Sequence, residues 1–89
     1  MIDVGDRVIL KEGVLHIMKH ETGTVVERFD SITGVGLGID FDNEVPYGHT
    51  CEGKCRIGHG RYVSEKVVEL IGGHEIKVSA EDIAAMLNI

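Results

Sequence analysis

The stretch Gly34-Val35-Gly36-Leu37-Gly38-Ile39-Asp40-Phe41 alternates a glycine or an aspartate with a larger apolar residue. Neighbouring side chains of a strand point to opposite faces, so this period of two predicts a strand with one apolar face. That face carries Val35, Leu37, Ile39 and Phe41. The other face begins as bare glycine, where a strand bends easily or where a second backbone or a ligand approaches closely. No helix follows these glycines, and their spacing differs from that of a dinucleotide-binding fingerprint.

Turn signals and runs of apolar or β-branched residues on both sides of this strand predict four more strands. They cover Asp6–Leu10, Thr22–Phe29, Arg61–Ser64 and Val67–Ile71. A five-residue turn is expected at Asp30–Gly34, and long loops at Lys11–Glu21 and Asp42–Gly60. Loops as long as the last are uncommon in compact domains unless they are functional. The sequence therefore predicts an all-β domain of five strands over residues 1–71.

Residues 72–89 are expected to form a short C-terminal strand-helix appendage. Glu75–Val78 has the pattern of a short strand, and Ser79 is a suitable N-cap for a helix after it. Three apolar residues of that helix form a stripe, namely Ile83, Met86 and Leu87. A helix of about nine residues is marginal alone, so the stripe has to dock, either on its own sheet or on another chain. We predict that it is the contact of a homo-oligomer.

Composition excludes several classes of protein. The chain has 89 residues and a formal net charge of −6 at pH 7. This acidic balance argues against general nucleic-acid binding, which needs clustered cations. No apolar run approaches the ~20 residues that a membrane span requires, so we expect no membrane association. The first residues lack the basic and apolar segments of a signal peptide, so we expect a cytoplasmic protein.

The Asp42–Gly60 loop contains a cluster with the pattern H-x-C-x3-C-x3-H, formed by His49, Cys51, Cys55 and His59. Zinc prefers four nitrogen and sulfur ligands in a tetrahedron, which makes this a candidate metal site. The spacing departs from the C-x2-C knuckles of ordinary zinc modules. Two other interpretations stay open. Either the cysteines pack a glycine-rich loop whose carbonyls bind the histidines, or Cys51 and Cys55 form a weak disulfide.

The same cysteines and histidines are weak candidates for nucleophilic catalysis. A nucleophilic cysteine needs a lowered thiol pKa, an orienting partner and an oxyanion site. The sequence gives no sign of a pocket, and a 9.7 kDa domain offers little concave volume. We therefore expect that the protein is not an enzyme and that it has no cofactor other than the candidate zinc ion.

Five residues in and beside the loop form a candidate partner-binding surface, namely Asp40, Asp42, Glu44, Tyr47 and Tyr62. The three carboxylates occupy alternate positions, so they share one side if the strand continues past Phe41. An acidic edge beside two tyrosines suits a basic partner surface. The alternatives are a hard cation bound by the carboxylate oxygens and a strand end that is merely solvated.

Three cations of the same region form a candidate anion site, namely Lys54, Arg56 and Arg61. Glycine-rich backbone can present N–H groups to a phosphate, which supports a small-anion or nucleotide binder. The sequence has no P-loop order and no pair of stacking aromatics, which argues against it.

Two sets of motifs resemble known families. Val4-Gly5-Asp6-Arg7-Val8 and Thr22-Gly23-Thr24-Val25-Val26 resemble the strand openings of SH3-like barrels, including CAP-Gly and KOW-type domains. This resemblance implies a small five-stranded SH3-like barrel. The glycine-rich groove motif and the aromatic set of CAP-Gly domains are missing, so microtubule binding is not implied.

A second resemblance covers residues 4–71. The stretches Gly48-His49-Thr50-Cys51-Glu52-Gly53-Lys54-Cys55 and Gly58-His59-Gly60-Arg61-Tyr62-Val63 are similar to small uncharacterised proteins of phages and prophages. The resemblance implies a phage-type protein in the host cytoplasm. Our first hypothesis is a non-enzymatic module that binds a protein, such as a host protein, and self-associates. The alternatives are a structural zinc-binding domain with a metal-stapled loop and a small-anion or nucleotide binder.

Overall fold

Five strands and one 3₁₀ turn make up the computed structural model, which describes residues 2–14 and 16–72. The strands are β1 Arg7–Leu10, β2 Thr22–Ser31, β3 Gly34–Phe41, β4 Gly60–Ser64 and β5 Val68–Gly72, and the 3₁₀ turn is Glu65–Val67. No helix in the described part of the chain is both long enough and apolar enough to cross a membrane.

All five strands belong to one antiparallel sheet with the order β4-β3-β2-β1-β5. The all-β class and the number of strands are confirmed. Within the described residues β4 and β5 are the two edges, so the sheet is not closed and the barrel stays a prediction. An edge strand keeps a row of backbone groups that no other strand of its sheet pairs with.

The apolar face predicted for β3 is confirmed as the centre of the core. Leu37 and Ile39 are 0% exposed and Phe41 is 1% exposed, while Val35 is partly buried against them. The other buried apolar residues around them are Val8, Leu10, Ile17, Val25, Val45, Val63 and Val68. Each large apolar side chain buried here contributes about 1.5–3 kcal/mol relative to an exposed one. Burial of this face fixes the register of β3, because a slip of one residue would expose it.

The β2–β3 hairpin is longer and tighter than predicted. Ser31 pairs with Gly34, so β2 continues two residues beyond Phe29 and the expected five-residue turn shrinks to Ile32 and Thr33. The Ser31 hydroxyl donates a hydrogen bond of 2.7 Å to the Gly34 carbonyl. Gly34 has φ 126°, a left-handed conformation that favours glycine at the end of the turn.

Four other strand boundaries shift by one residue: β1 and β5 begin one residue later than predicted, β4 begins one residue earlier, and β5 ends one residue later. Asp6 precedes β1, because its N–H donates to the Asp3 carbonyl in a turn. Val67 precedes β5, because it belongs to the 3₁₀ turn, which the Ser64 hydroxyl caps by accepting the Lys66 N–H. Of the appendage predicted at residues 72–89, Gly72 is the last residue of β5, and the rest, with Ile83, Met86 and Leu87, lies outside the described residues.

Candidate functional site

Two aromatic rings from neighbouring strands cover the glycine face of β3. Phe29 of β2 pairs with Gly36, and Tyr62 of β4 pairs with Gly38. A Cβ atom at Gly36 would overlap the Phe29 ring, and one at Gly38 would lie 3.2 Å from Cε1 of Tyr62. The two rings meet edge to face, with centroids 5.6 Å apart and planes at 83°. The glycine at 36 therefore makes the space that the Phe29 ring occupies.

An open groove lies beside the Phe29 ring, and we call it the hairpin groove. Its volume is about 210 Å³, and its lining includes Phe29, Val35, Tyr62, Ser64 and, from the hairpin turn, Thr33. Sites that hold whole small molecules usually enclose roughly 300–1,000 Å³. The hairpin groove is smaller and open, which suits a single side chain of a larger partner.

Tyr62 is the one titratable group among the described residues that line the hairpin groove. Desolvation raises its pKa to about 12, and the nearby charges of Glu27 and Glu52 act in the same direction. Its hydroxyl stays protonated at neutral pH and donates a 3.3 Å hydrogen bond to Oε1 of Glu27. Lys54 Nζ lies 3.5 Å from the same oxygen. The groove thus offers a ring surface and hydroxyl groups, and none of the described residues that line it is a general base at neutral pH.

The outer edge of β4 beside the groove carries backbone groups that no strand of the described residues pairs with. His49 and Gly60 exchange two hydrogen bonds of 2.8 Å on the side away from β3, while the Phe41 N–H donates to the carbonyl of the residue before Gly60. Antiparallel ladders alternate, so Tyr62 also directs its N–H and C=O away from β3, and Ser64 its N–H. No strand of the described residues pairs with this side of β4.

A strained turn directs the chain away from that edge directly after His49. Cys51 and Glu52 have φ values of 46° and 58°, in the left-handed region that costs a non-glycine residue energy. The Thr50 carbonyl accepts the N–H groups of Gly53 at 2.9 Å and of Cys55 at 2.8 Å, which holds the turn. The turn keeps the β3–β4 loop, residues 42–59, from continuing along β4.

The predicted zinc ligands lie in this loop, and the structure gives each a local role. Cys51 and Cys55 are buried free thiols, and burial raises both pKa values, that of Cys55 to about 12. The Cys51 N–H donates to Nδ1 of His49 at 3.0 Å, so a neutral His49 carries its proton on Nε2. His59 Nδ1 donates to the Phe41 carbonyl at 2.8 Å. The His59 bond matches the packed-loop interpretation of the cluster, whereas the partner of His49 is an N–H and not a carbonyl.

Within the described residues, no group of three or more histidine, cysteine, aspartate or glutamate side chains is placed to hold a metal ion. A zinc site here would need His49 to give up its hydrogen bond from Cys51, or would leave three donors instead of four. The zinc site stays a prediction.

The predicted acidic edge and the predicted cation cluster meet each other. Asp42 accepts two hydrogen bonds from Arg7, at 2.7 and 2.6 Å, and this guanidinium lowers the pKa of Asp42 to about 2. Asp40 binds Arg56, whose Nη2 lies 3.0 Å from Oδ1. A partner of either sign would have to compete with these ion pairs.

The remaining members of the two predicted surfaces contact different parts of the molecule and do not form one cluster. Arg61 is buried and donates to the Pro46 carbonyl at 2.8 Å, which fixes the β3–β4 loop. Glu44 is exposed, and Tyr47 is 77% exposed with its ring 5.6 Å from that of His16. Tyr62 packs instead on Phe29 and on the ring of His49, 5.3 Å away.

The residues that sequence reasoning missed are Phe29, Thr33 and Ser64. The sequence did contain a signal for Phe29. A strand face of bare glycines allows another side chain to pack closely on it, and Phe29 ends the strand predicted just before that one. Placing the ring over Gly36 required the register of the two-residue hairpin, which only the structure gives.

No family model matches the chain, and no curated protein matches its sequence. The resemblance to phage proteins therefore stays a prediction.

Proposed function

We propose that the protein is a non-enzymatic binding module that recognises a protein partner through the hairpin groove. The observation that carries this proposal is the groove itself, an open space of about 210 Å³ between the Phe29 ring and Ser64. Aromatic side chains around a small pocket are the usual anchors of protein recognition, because they give a large contact area for little lost entropy. The partner contributes one apolar side chain.

The state of the other chemical groups supports binding rather than catalysis. Tyr62, Cys51 and Cys55 have raised pKa values and are protonated at neutral pH, so none of them is an activated nucleophile or base. The ion pair between Arg56 and Asp40 and the bond from Arg61 to a backbone carbonyl weaken the case for an anion site.

Two parts of the proposal rest on the sequence. A phage-type protein would act on a partner in the host cytoplasm, and its acidic net charge of −6 favours a basic one. Self-association through Ile83, Met86 and Leu87 involves residues outside those that the structure describes.

Two substitutions in the same hairpin turn test the groove. Thr33 lines it, whereas its neighbour Ile32 is fully exposed and is not part of the lining. A display library of random heptapeptides is selected on the purified protein, on Thr33→Tyr and on Ile32→Tyr. We expect wild type and Ile32→Tyr to enrich peptides with one large apolar residue. Thr33→Tyr, whose ring fills the groove, should recover at least ~10-fold fewer of them.

The thermal midpoints of both variants, measured beside wild type, show whether each is folded. Equal recovery by the two folded variants, or no enrichment by wild type, would contradict recognition through the hairpin groove.

A further inference from the structure

We propose that the partner binds as an extended strand added to the outer edge of β4, with its apolar side chain in the hairpin groove and basic residues beside it. This inference rests on the proposed function and specifies the class of partner: a basic peptide segment in β conformation. The two features that it joins, the groove and the edge, are adjacent because Tyr62 and Ser64 belong to both.

The backbone of β4 provides the pairing groups. Gly60 already uses its outward N–H and C=O in the two bonds with His49, which shows that this edge accepts an antiparallel neighbour. The next outward groups belong to Tyr62 and Ser64, two and four residues further on. An open edge of this kind is a template for a strand from another chain, and main-chain hydrogen bonds then supply affinity for an extended peptide.

The cross-strand register brings the groove within reach of such a strand. Phe29, Gly36 and Ser64 are opposite one another on β2, β3 and β4. A strand added outside β4 would place one side chain on the same face next to Ser64. Ser64 is small and exposed, so a long apolar side chain of the added strand can lean across it toward the Phe29 ring.

Charge favours a basic peptide over a second copy of this chain. Two chains with a net charge of −6 repel each other at low ionic strength. Glu27 and Glu52 lie close enough to Tyr62 for their charges to act on its hydroxyl, and Glu52 is exposed. Lysine or arginine residues that flank the apolar side chain would meet the exposed Glu52 and would compete for Glu27 with Lys54, whose Nζ lies 3.5 Å from Oε1 of Glu27.

The N–H of Ser64 can be removed without bending the strand. Ser64 has φ −71° and ψ 140°, which a proline adopts, and its N–H does not take part in the ladder with β3. Ser64→Pro also removes the hydroxyl that caps the 3₁₀ turn, so Ser64→Ala serves as the matched variant that loses only the hydroxyl. The thermal midpoints of both variants are measured first.

The probe is the heptapeptide that wild-type protein enriches most in the display selection, and Kd is measured by fluorescence anisotropy. We expect Ser64→Pro to bind it at least ~10-fold more weakly than Ser64→Ala does. In a series of peptides N-methylated at one backbone position each, every second position should weaken binding by a similar factor, because alternate N–H groups face β4.

Equal Kd values for the two Ser64 variants, or an N-methyl series without the period of two, would overturn strand addition while leaving recognition through the groove intact. Selected peptides without lysine or arginine would overturn the basic partner. A failed selection with wild-type protein would instead overturn the proposed function, so the two failures are distinguishable. A concentration-dependent dimer that Ser64→Pro abolishes would replace the peptide by a second copy.

Discussion

The hairpin groove and the β3–β4 loop use their side chains in opposite ways. The loop is rich in polar and ionisable side chains, yet these bond to the strands that flank the loop: Arg56 to Asp40 of β3 and His59 to the Phe41 carbonyl, while Arg61 of β4 donates to the Pro46 carbonyl of the loop. The hairpin groove has few such groups but leaves space, and the strand edge beside it is unpaired within the part of the chain that the structure describes. In a domain this small, a long loop without regular structure needs its polar residues for its own stability.

The difference follows from what each region has to stabilise. A loop has no ladder of backbone hydrogen bonds, so its backbone groups must be paired by turns and side chains. The hairpin already has its ladder, with eight residue pairs between β2 and β3, so its side chains are free to form a surface. A binding surface requires a rigid backbone that holds its side chains in place, and the β2–β3 ladder provides one.

The largest loss in the free energy of unfolding is expected from a substitution that pushes apart two backbone segments of the β3–β4 loop. A Cβ atom at Gly48 would overlap the Gly58 carbonyl, and neither backbone can yield easily. Gly48 is not among the glycines with positive φ, so the cost of Gly48→Ala is steric. We expect a loss of about 3 kcal/mol or more in the free energy of unfolding, measured with urea.

Gly72→Ala is the control for this experiment, because its Cβ would lie at an ordinary distance of 3.8 Å from Cβ of Arg7. A similar change in the free energy of unfolding for both variants would show that the close contact of Gly48 with Gly58 does not stabilise the loop. The loop would then not differ from the groove in this respect.

A smaller loss in the free energy of unfolding is expected from a substitution beside the hairpin groove. Gly36→Ala forces the Phe29 ring to move, because the new methyl group overlaps it, and we expect a loss of about 2 kcal/mol. The double variant Gly36→Ala with Phe29→Leu should be more stable than the sum of the single effects predicts, since the smaller side chain leaves room. Urea unfolding of all four proteins gives the coupling energy. Additive effects would contradict the proposed fit of ring and glycine.

The smallest effect concerns the ion pair between Arg7 and Asp42. The pKa of Asp42 is about 2 in the folded protein, below its value of about 3.9 in an unfolded chain. Its contribution is therefore complete above about pH 5 and is lost progressively as the pH falls through the folded pKa of about 2. Asp42 is 41% exposed, so solvent screening limits the contribution to about 0.5 kcal/mol.

Urea midpoints of wild type and Asp42→Asn should accordingly differ at pH 7 and converge near pH 2. A gap that persists unchanged at pH 2 would show that the carboxylate charge is not what stabilises this end of the loop. Binding of the selected peptide at pH 7 should be the same in both proteins, because Asp42 lies outside the groove lining.

Much of the fold was predictable because it depends on local pattern. The alternation in β3 identified the buried face correctly, since a strand half-buried in a core must alternate. The turn at Ile32 and Thr33 was predicted too long, because Asp30 and Ser31 are typical turn residues that here belong to the strand. Pairing with β3 outweighed that preference.

The candidate site was less predictable. Asp40 and Arg56 were placed in two different predicted surfaces, because sequence spacing gives no sign that they bind each other across sixteen positions. The metal site was predicted from the types of donor side chain alone. The hydrogen bond from the Cys51 N–H to His49 could not be predicted, because it depends on a turn in which Cys51 and Glu52 are left-handed, a conformation that non-glycine residues disfavour.

By itself the sequence determined the all-β class, the five strands and the apolar face of β3, because each follows from side-chain periodicity and turn chemistry within a few residues. The tertiary structure alone decided which residues meet: the Phe29 ring over Gly36, the ion pair of Arg56 with Asp40, and a β4 edge that no strand of the described residues pairs with. The physical reason is register. Cross-strand pairing joins residues that are distant in the chain, and a single residue of slip would exchange every one of these neighbours.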